Sequence, residues 1–310
     1  MLVGPDQREF TLHKRLLCAA SPYFRDRLDV TPANLSSSPG ATTTPADSTG
    51  AMLWLANETP EMFELFVLWL YQRRAFRLFV GAAVSSATRG APFLEFPNLQ
   101  NDLCRRTLRW NLARLHLFAA MAQVPALQDV AMDALQDLYL RCDWEVSPRF
   151  LAFLYGECDA DRSVRLRKWA VAMVAWAVCG GETGLSAVAV GKFRTLFDAH
   201  PALRDDYVRH LSKMDESRAD VRVKNPQLRL PGNRLRSEER FLGFRMCSFH
   251  SHRAAVGEGA CPLAVGTFRA AKSPWMRAKE GMESDDSDDA DRGILSPVSN
   301  SRWETYLRCG

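Results

Sequence analysis

The 310-residue chain lacks a long hydrophobic run and an N-terminal targeting sequence. Its longest apolar stretch, residues 169–179, is too short to span a bilayer, which takes about 20 apolar residues. The first residues do not show the basic, apolar and small-residue pattern of a secretory signal. We therefore expect a soluble intracellular protein, cytoplasmic or nuclear, with no membrane partner.

The sequence also has little net charge and none of the common catalytic motifs. Its formal charge is +4, from 40 basic and 36 acidic residues, and no dense basic block is present. A nucleic-acid partner is therefore not evident. There is no glycine-rich phosphate loop, metal-hydrolase helix motif or nucleophile elbow, so we do not expect an enzyme. Eight scattered cysteines give no disulfide-type framework.

Near the N-terminus the spacing of apolar residues changes from that of a strand to that of a helix. Residues 9–12 alternate polar and apolar side chains, which predicts a half-buried strand. From His13 the apolar residues recur at helical spacing. Ser21 and Pro22 predict a second helix start, because serine caps free amides and proline suits a first turn. Phe24 lies on the apolar stripe of that helix. We interpret His13 as a partly buried histidine of the fold and not as a catalytic base.

A further helix start follows a stretch of low sequence complexity. Residues 31–50 are rich in serine, threonine, proline, alanine and glycine, which predicts a flexible loop. Thr59 as cap and Pro60 as first helical residue then predict the start of a helix. Its buried side chains are predicted to be Phe63, Phe66, Val67, Leu70 and Tyr71. Trp69 is expected off that face, where a partner could contact it.

The following stretch divides into an irregular part and a helical part. Residues 73–108 are predicted to be an irregular insertion, because glycine and proline interrupt any periodic pattern. The interrupting residues are Gly81, Gly90, Pro92 and Pro97. A helical pattern resumes at residue 111, breaks at Pro125 and continues, which predicts a helical hairpin that buries Leu115.

Three segments in this order resemble the BTB/POZ domain. They read FTLHKRLLCAASPYFRDRL from Phe10, LWLANETPEMFELFVLWLY from Leu53, and LARLHLFAAMAQVPALQDVAMDAL from Leu112. The matching motifs are Phe-x-x-His-Lys before the first helix, Ser-Pro-x-Phe at the second, and Thr-Pro-x-x-Phe leading to Trp-Leu-Tyr. Residues 1–140 are therefore similar to this family, in the divergent form abundant in filamentous fungi.

The resemblance implies an α+β fold, a small sheet with a cluster of helices, that binds proteins and does not catalyse a reaction. It implies a role as adaptor for a cullin-type ubiquitin ligase, with cullin contacts from residues 62–71 and 127–138. The chain has no substrate-binding repeats such as kelch or ankyrin, which weakens the adaptor role. It also lacks the N-terminal helix and strand that some family members exchange, so we expect a weak homodimer or a monomer.

The remainder of the chain is predicted to form three regions. Residues 141–215 are helical in pattern, and Ser147 followed by proline marks one helix start. Residues 216–265 are expected to be mostly extended. Residues 266–310 are expected to form a mostly disordered tail, because the acidic run at 282–293 cannot bury enough apolar surface to fold.

One group of residues in the C-terminal third has the chemistry of a metal site. The sequence CSFHSHRAAVGEGAC contains Cys247, His250, His252 and Cys261. Two thiolates and two imidazoles are a ligand set of structural zinc, so one zinc ion is the predicted cofactor. The alternative is an exposed polar tail with incidental cysteines. A zinc-bound segment would favour a second function, a transcriptional or chromatin scaffold, over the ligase adaptor.

Overall fold

The computed structural model describes five stretches of the chain: residues 1–28, 53–88, 99–179, 187–230 and 242–252. Within them the fold is mainly helical and includes a small three-stranded sheet, so its class is α+β in the broad sense. The loop predicted at 31–50 and the tail predicted at 266–310 lie outside the described residues.

The sheet is built from three two-residue strands. They are β1 (Leu2–Val3), β2 (Arg8–Glu9) and β3 (Trp54–Leu55), in the order β2-β1-β3. β1 pairs antiparallel with β2 and parallel with β3. The strand predicted over residues 9–12 is present only at Glu9. Phe10 still exchanges two backbone hydrogen bonds with Met1, at 2.7 and 2.8 Å, and its ring lies 4.9 Å from that of Phe63.

Two short helices, α1 (Lys14–Ala20) and α2 (Pro22–Leu28), follow the first two strands. Ser21 separates them, and its hydroxyl accepts a hydrogen bond from the amide of Phe24 at 3.3 Å. This contact confirms the predicted helix start. The same hydroxyl donates to the carbonyl of Ala122, which ties this turn to a residue 101 positions further along the chain.

Helix α3 (Pro60–Tyr71) lies in an aromatic core. The fully buried rings are those of Phe24, Phe63, Phe66 and Phe118. Neighbouring ring centroids in this group are 5.0 to 6.2 Å apart, in tilted and edge-to-face arrangements. Leu115 is also buried, so the predicted burial of Phe24, Phe63 and Leu115 is confirmed.

The last aromatic residues of α3 differ from the prediction. Trp69 is buried, stacks on Phe66 and has the guanidinium of Arg73 4.6 Å from its ring centre. Tyr71 is 44% exposed, and its hydroxyl lies 2.7 Å from Nδ1 of His13. His13 is exposed and not partly buried. Because α3 packs against helices on more than one side, a single apolar stripe does not decide which of its rings are enclosed.

The stretch predicted to be irregular contains two helices, α4 (Arg73–Thr88) and the beginning of α5 (Leu99–Met121). The prediction for residues 73–108 is therefore wrong over most of its length. Phe76, Val80 and Val84 recur every four residues and are buried, which gives α4 one apolar stripe. Gly81 does not end the helix, because it is exposed and a helical glycine costs only about 1 kcal/mol.

The elements after α5 are α6 (Pro125–Cys142), α7 (Pro148–Ala152), a π-helical turn (Phe153–Glu157), α8 (Ala160–Cys179), α9 (Ala187–Ala199), α10 (Pro201–Glu216), β4 (Asn225–Leu230) and β5 (Gly243–Arg245). Helix α8 packs on α5 and β4 on α6, while α9 and α10 contact α7 and α8, respectively. Tyr139 on α6 meets Trp169 on α8 edge-on, with ring centroids 4.8 Å apart. The helices after residue 140 therefore share one hydrophobic core with those before it.

Candidate metal centre

The last described segment returns to α6 from more than one hundred residues away. β5 pairs in parallel with β4, and β4 in turn contacts α6, where Gln136 Nε2 donates to the carbonyl of Pro226 at 3.1 Å. Phe244 and Phe249 are buried with ring centroids 5.2 Å apart. These two rings anchor the turn after β5, so His250 is held at the surface of α6.

Helix α6 presents a row of carboxylates to this segment. Asp129, Asp133 and Asp137 are spaced four residues apart and share one helix face. Arg229 of β4 forms ion pairs with two of them: its Nη1 lies 2.6 Å from Asp133 Oδ1, and its Nη2 contacts Asp137. Like charges four residues apart on one helix face destabilise it unless opposite charges lie nearby.

The ion pairs change the acidity of the groups involved. Burial by itself raises the pKa of Asp133, but the Arg229 guanidinium and His250 outweigh it and hold that pKa below its ordinary value. Burial likewise lowers the pKa of Arg229, while Asp133 and Asp137 raise it above the ordinary value overall. Both groups therefore stay charged at neutral pH, and the pair fixes β4 against α6.

Asp129, His250 and His252 form a compact group of metal-ligating side chains. One ligand atom from each lies within 4.8 Å of the others. Asp129 Oδ2 is 3.1 Å from Nδ1 of His252 and 3.7 Å from Nδ1 of His250. In tetrahedral zinc sites with bonds of 2.0–2.1 Å, neighbouring ligand atoms are about 3.3 Å apart. The two distances from Asp129 lie on either side of this value.

The carboxylate of this group is held in place by the backbone. Asp129 is buried, and its Oδ1 accepts a hydrogen bond from the amide of Ser251 at 2.6 Å. The bond leaves Oδ2 directed towards the two imidazoles. Asp129 can therefore act as a monodentate ligand without releasing its contact to the chain.

His250 has a second partner that orients its ring. Nε2 of His250 lies 2.9 Å from Oδ1 of Asp133, while Nδ1 faces Asp129. Metal-binding histidines usually donate their other ring N–H to a carboxylate, which fixes the tautomer. Asp133 is therefore placed as the positioning residue for His250.

A buried and unpartnered imidazole lies beside this group. His116 of α5 is fully buried, and neither of its ring nitrogens has a hydrogen-bond partner. Burial, followed by the neighbouring His250 and Arg165 side chains, lowers the pKa of His116 to about 3. His116 therefore stays neutral at physiological pH.

The structure brings together two of the four residues predicted to bind zinc. His250 and His252 lie together, but the third member of this group of metal-ligating side chains is Asp129 and not a cysteine. Cys247 is buried, its carbonyl accepts a hydrogen bond from the amide of His250 at 3.1 Å, and it does not belong to the group of three. Cys261 lies outside the described residues. The sequence signal that could have indicated Asp129 is the acidic row at helical spacing on α6.

The two stretches that the resemblance assigns to cullin contacts are largely enclosed. Between residues 127 and 138 only Asp133 and Asp137 are half-exposed, and the other side chains are buried. On residues 62–71 the accessible side chains are Glu64, Val67 and Tyr71. A partner that binds these stretches would therefore contact few of their side chains directly.

The comparisons with known proteins do not assign the chain to a family. Neither the protein-family models, nor the curated proteins, nor the solved structures give a match. Among the helices within the described residues, none is long and apolar enough to cross a membrane.

Proposed function

We propose that this chain is a non-catalytic protein-interaction module of the BTB/POZ type, acting in the cytoplasm or nucleus. The observation that carries the proposal is the element order in the first 142 residues. The helix pair α1–α2 lies between β2 and β3 of one small sheet, and α3 and the α5–α6 hairpin follow. The three sequence segments that resemble the family occupy these same elements in this order.

The partner surface in this proposal is the exposed side of α1 together with the end of α3. Arg15 and Ala19 on α1 are exposed, and Tyr71 at the end of α3 is held beside His13 by a hydrogen bond of 2.7 Å. This surface is available without opening the aromatic core. We propose a cullin-type ubiquitin ligase as the partner and a weak homodimer or monomer as the free state.

Affinity capture with quantitative mass spectrometry tests the role and separates the two partner classes. The wild-type chain is compared with the double variant Arg15→Glu/Tyr71→Ala and with the control Arg204→Glu on the exposed side of α10. We expect ligase subunits with wild type and control, reduced at least tenfold with the double variant. Equal capture by all three forms, or no ligase subunits, would contradict the proposal.

The second candidate is a transcriptional or chromatin scaffold with a C-terminal zinc-bound segment. The group of Asp129, His250 and His252 favours it, because imidazole and carboxylate are zinc ligands and the two histidines belong to the segment concerned. Nuclear complexes in place of ligase subunits in the same capture experiment would support this candidate.

Light scattering over a dilution series tests the proposed oligomeric state of the free chain. A dimer that persists at nanomolar concentration would contradict a weak homodimer or monomer.

A further inference from the structure

We propose that Asp129, His250 and His252 bind one Zn²⁺ ion that fastens the turn after β5 to α6. This inference rests on the second candidate function in one respect only: both involve a zinc ion bound by the C-terminal segment, and the inference names its ligands. It does not depend on the partner of the chain. The ligand set differs from the predicted one in that a helix carboxylate, Asp129, takes the place of the two cysteines.

The first argument is that two hydrogen-bond acceptors face each other in the group. When Nε2–H of His250 donates a hydrogen bond to Asp133, Nδ1 of the neutral ring carries a lone pair. That lone pair faces Oδ2 of Asp129 at 3.7 Å, and Nδ1 of His252 approaches the same oxygen at 3.1 Å. A single cation between the three atoms would satisfy all of them. A proton would satisfy only one pair.

The second argument is that the site is already organised for a metal. Asp129 is fixed through Oδ1 by the Ser251 amide, and His250 is fixed through Nε2 by Asp133. Each of these ligands therefore has its remaining donor atom directed at the same point. The side chains are mostly enclosed, with relative exposures of 7% for Asp129, 12% for His250 and 14% for His252, so the ion would be shielded from bulk water on most sides.

The third argument concerns the choice of metal. Two imidazole nitrogens and one carboxylate oxygen suit zinc and related transition metals, whereas magnesium and calcium prefer oxygen ligands. Three protein ligands leave one coordination position, which water can occupy. We therefore choose zinc as the probe, with magnesium as the negative control.

Metal content of the full-length chain gives the primary test. Protein loaded with Zn²⁺ and dialysed against metal-free buffer should retain close to one equivalent, and its thermal midpoint should fall when the ion is removed by a chelator. Asp129→Asn and His252→Gln should each weaken zinc binding at least tenfold. Asp137→Asn on the same helix and His13→Gln on the surface are the matched controls, and both should retain the ion.

The cysteines provide the discriminating comparison. Cys247→Ser and Cys261→Ser should retain zinc if the proposed ligands are right. The wild-type chain loaded with Co²⁺ should show the visible absorption of a cobalt site without an intense sulfur-to-cobalt band in the near ultraviolet. Loss of zinc in the cysteine variants with retention in Asp129→Asn would overturn the proposal. So would wild-type protein that binds no zinc and keeps its thermal midpoint when zinc is added. The cobalt spectrum needs only wild-type protein, so a variant that fails to fold does not prevent a decision.

Discussion

Helix α6 packs against two regions of opposite character. On the side of α5 it meets the hydrophobic core, where Leu127, Leu135 and Leu138 are fully buried. On the side of β4 and the following turn it presents Asp129 and Asp133 to cations and imidazoles. We call the second region the charged joint: the contacts of Asp129, Asp133 and Asp137 on α6 with Arg229, His250 and His252. The apolar core tolerates few changes of shape, whereas the charged joint is stable only when each charged group keeps its partners.

The difference shows what each region contributes. The aromatic core is non-directional and is stabilised by apolar area removed from water. The joint contributes less net stability, because burying charges costs nearly as much as pairing them returns. Its geometry is directional instead, and it determines where His250 and His252 stand.

The largest effect is expected in the aromatic core. Phe63→Ala should lower the free energy of unfolding by about 3–5 kcal/mol, because a fully buried ring is replaced by a cavity. Urea denaturation at neutral pH measures the change. Phe10→Ala is the comparison within the same ring pair, and its loss should be smaller because Phe10 is only partly buried. A loss below about 1 kcal/mol for Phe63→Ala would show that the core does not close around this ring.

The next effect is expected in the charged joint. Arg229→Met should cost about 2–4 kcal/mol, because it leaves the carboxylate of Asp133 enclosed without its principal cation. The double variant Arg229→Met/Asp133→Asn should be more stable than Arg229→Met alone. If the two substitutions acted independently, their losses of unfolding free energy would add instead. Arg222→Met, which breaks an exposed pair with Asp220, should have no measurable effect in the same urea titration. Additive losses in the double variant would contradict the coupling.

The two regions also differ in how far sequence could predict them. Burial of Phe24, Phe63 and Leu115 follows from helical periodicity, which is a local property. Contacts between α6 and the turn after β5 join residues that are 117 to 123 positions apart, and no local pattern indicates which helix a distant turn will meet. His250 and His252 could therefore be proposed as ligands from their spacing. The acidic row on α6 marks Asp129 as a candidate, but it does not indicate that Asp129 meets these two histidines.

Helix α4 was predicted to be irregular for a different physical reason. Its apolar stripe of Phe76, Val80 and Val84 is present in the sequence, but the exposed Gly81 within it suggested a break. A Cβ at Gly81 would meet no atom within 4 Å, so this glycine serves no steric need. The periodic apolar stripe is therefore a stronger predictor of this helix than the exposed glycine within it.

A half-buried histidine whose charged neighbours are lysines gives the third prediction. Burial, followed by Lys224 and Lys213, lowers the pKa of His210 on α10 to about 4, from an ordinary value of 6.5. Between those pH values the unfolded chain binds a proton that the folded chain does not. The contribution of His210 to stability is therefore complete above about pH 6.5 and is lost as the pH falls to 4.

Urea denaturation at pH 7, 5.5 and 4 tests this. The wild-type chain should lose about 1–3 kcal/mol more than His210→Gln between pH 7 and pH 4. His13→Gln, at an exposed histidine, is the control and should follow the wild-type curve. Parallel curves for wild type and His210→Gln would show that His210 is not desolvated in the folded chain.

The smallest effect separates two helix starts that look alike in sequence. Ser147 and Thr59 each precede a proline at the first helical position. The Ser147 hydroxyl accepts a hydrogen bond from the Phe150 amide at 3.3 Å, whereas the Thr59 side chain makes no capping bond and its Oγ1 is buried without a partner. Ser147→Ala should therefore cost about 1 kcal/mol, and Thr59→Ala less than about 0.5 kcal/mol. Thermal melts of both variants beside the wild type measure the difference, and equal losses would mean that the cap at Thr59 forms in solution after all.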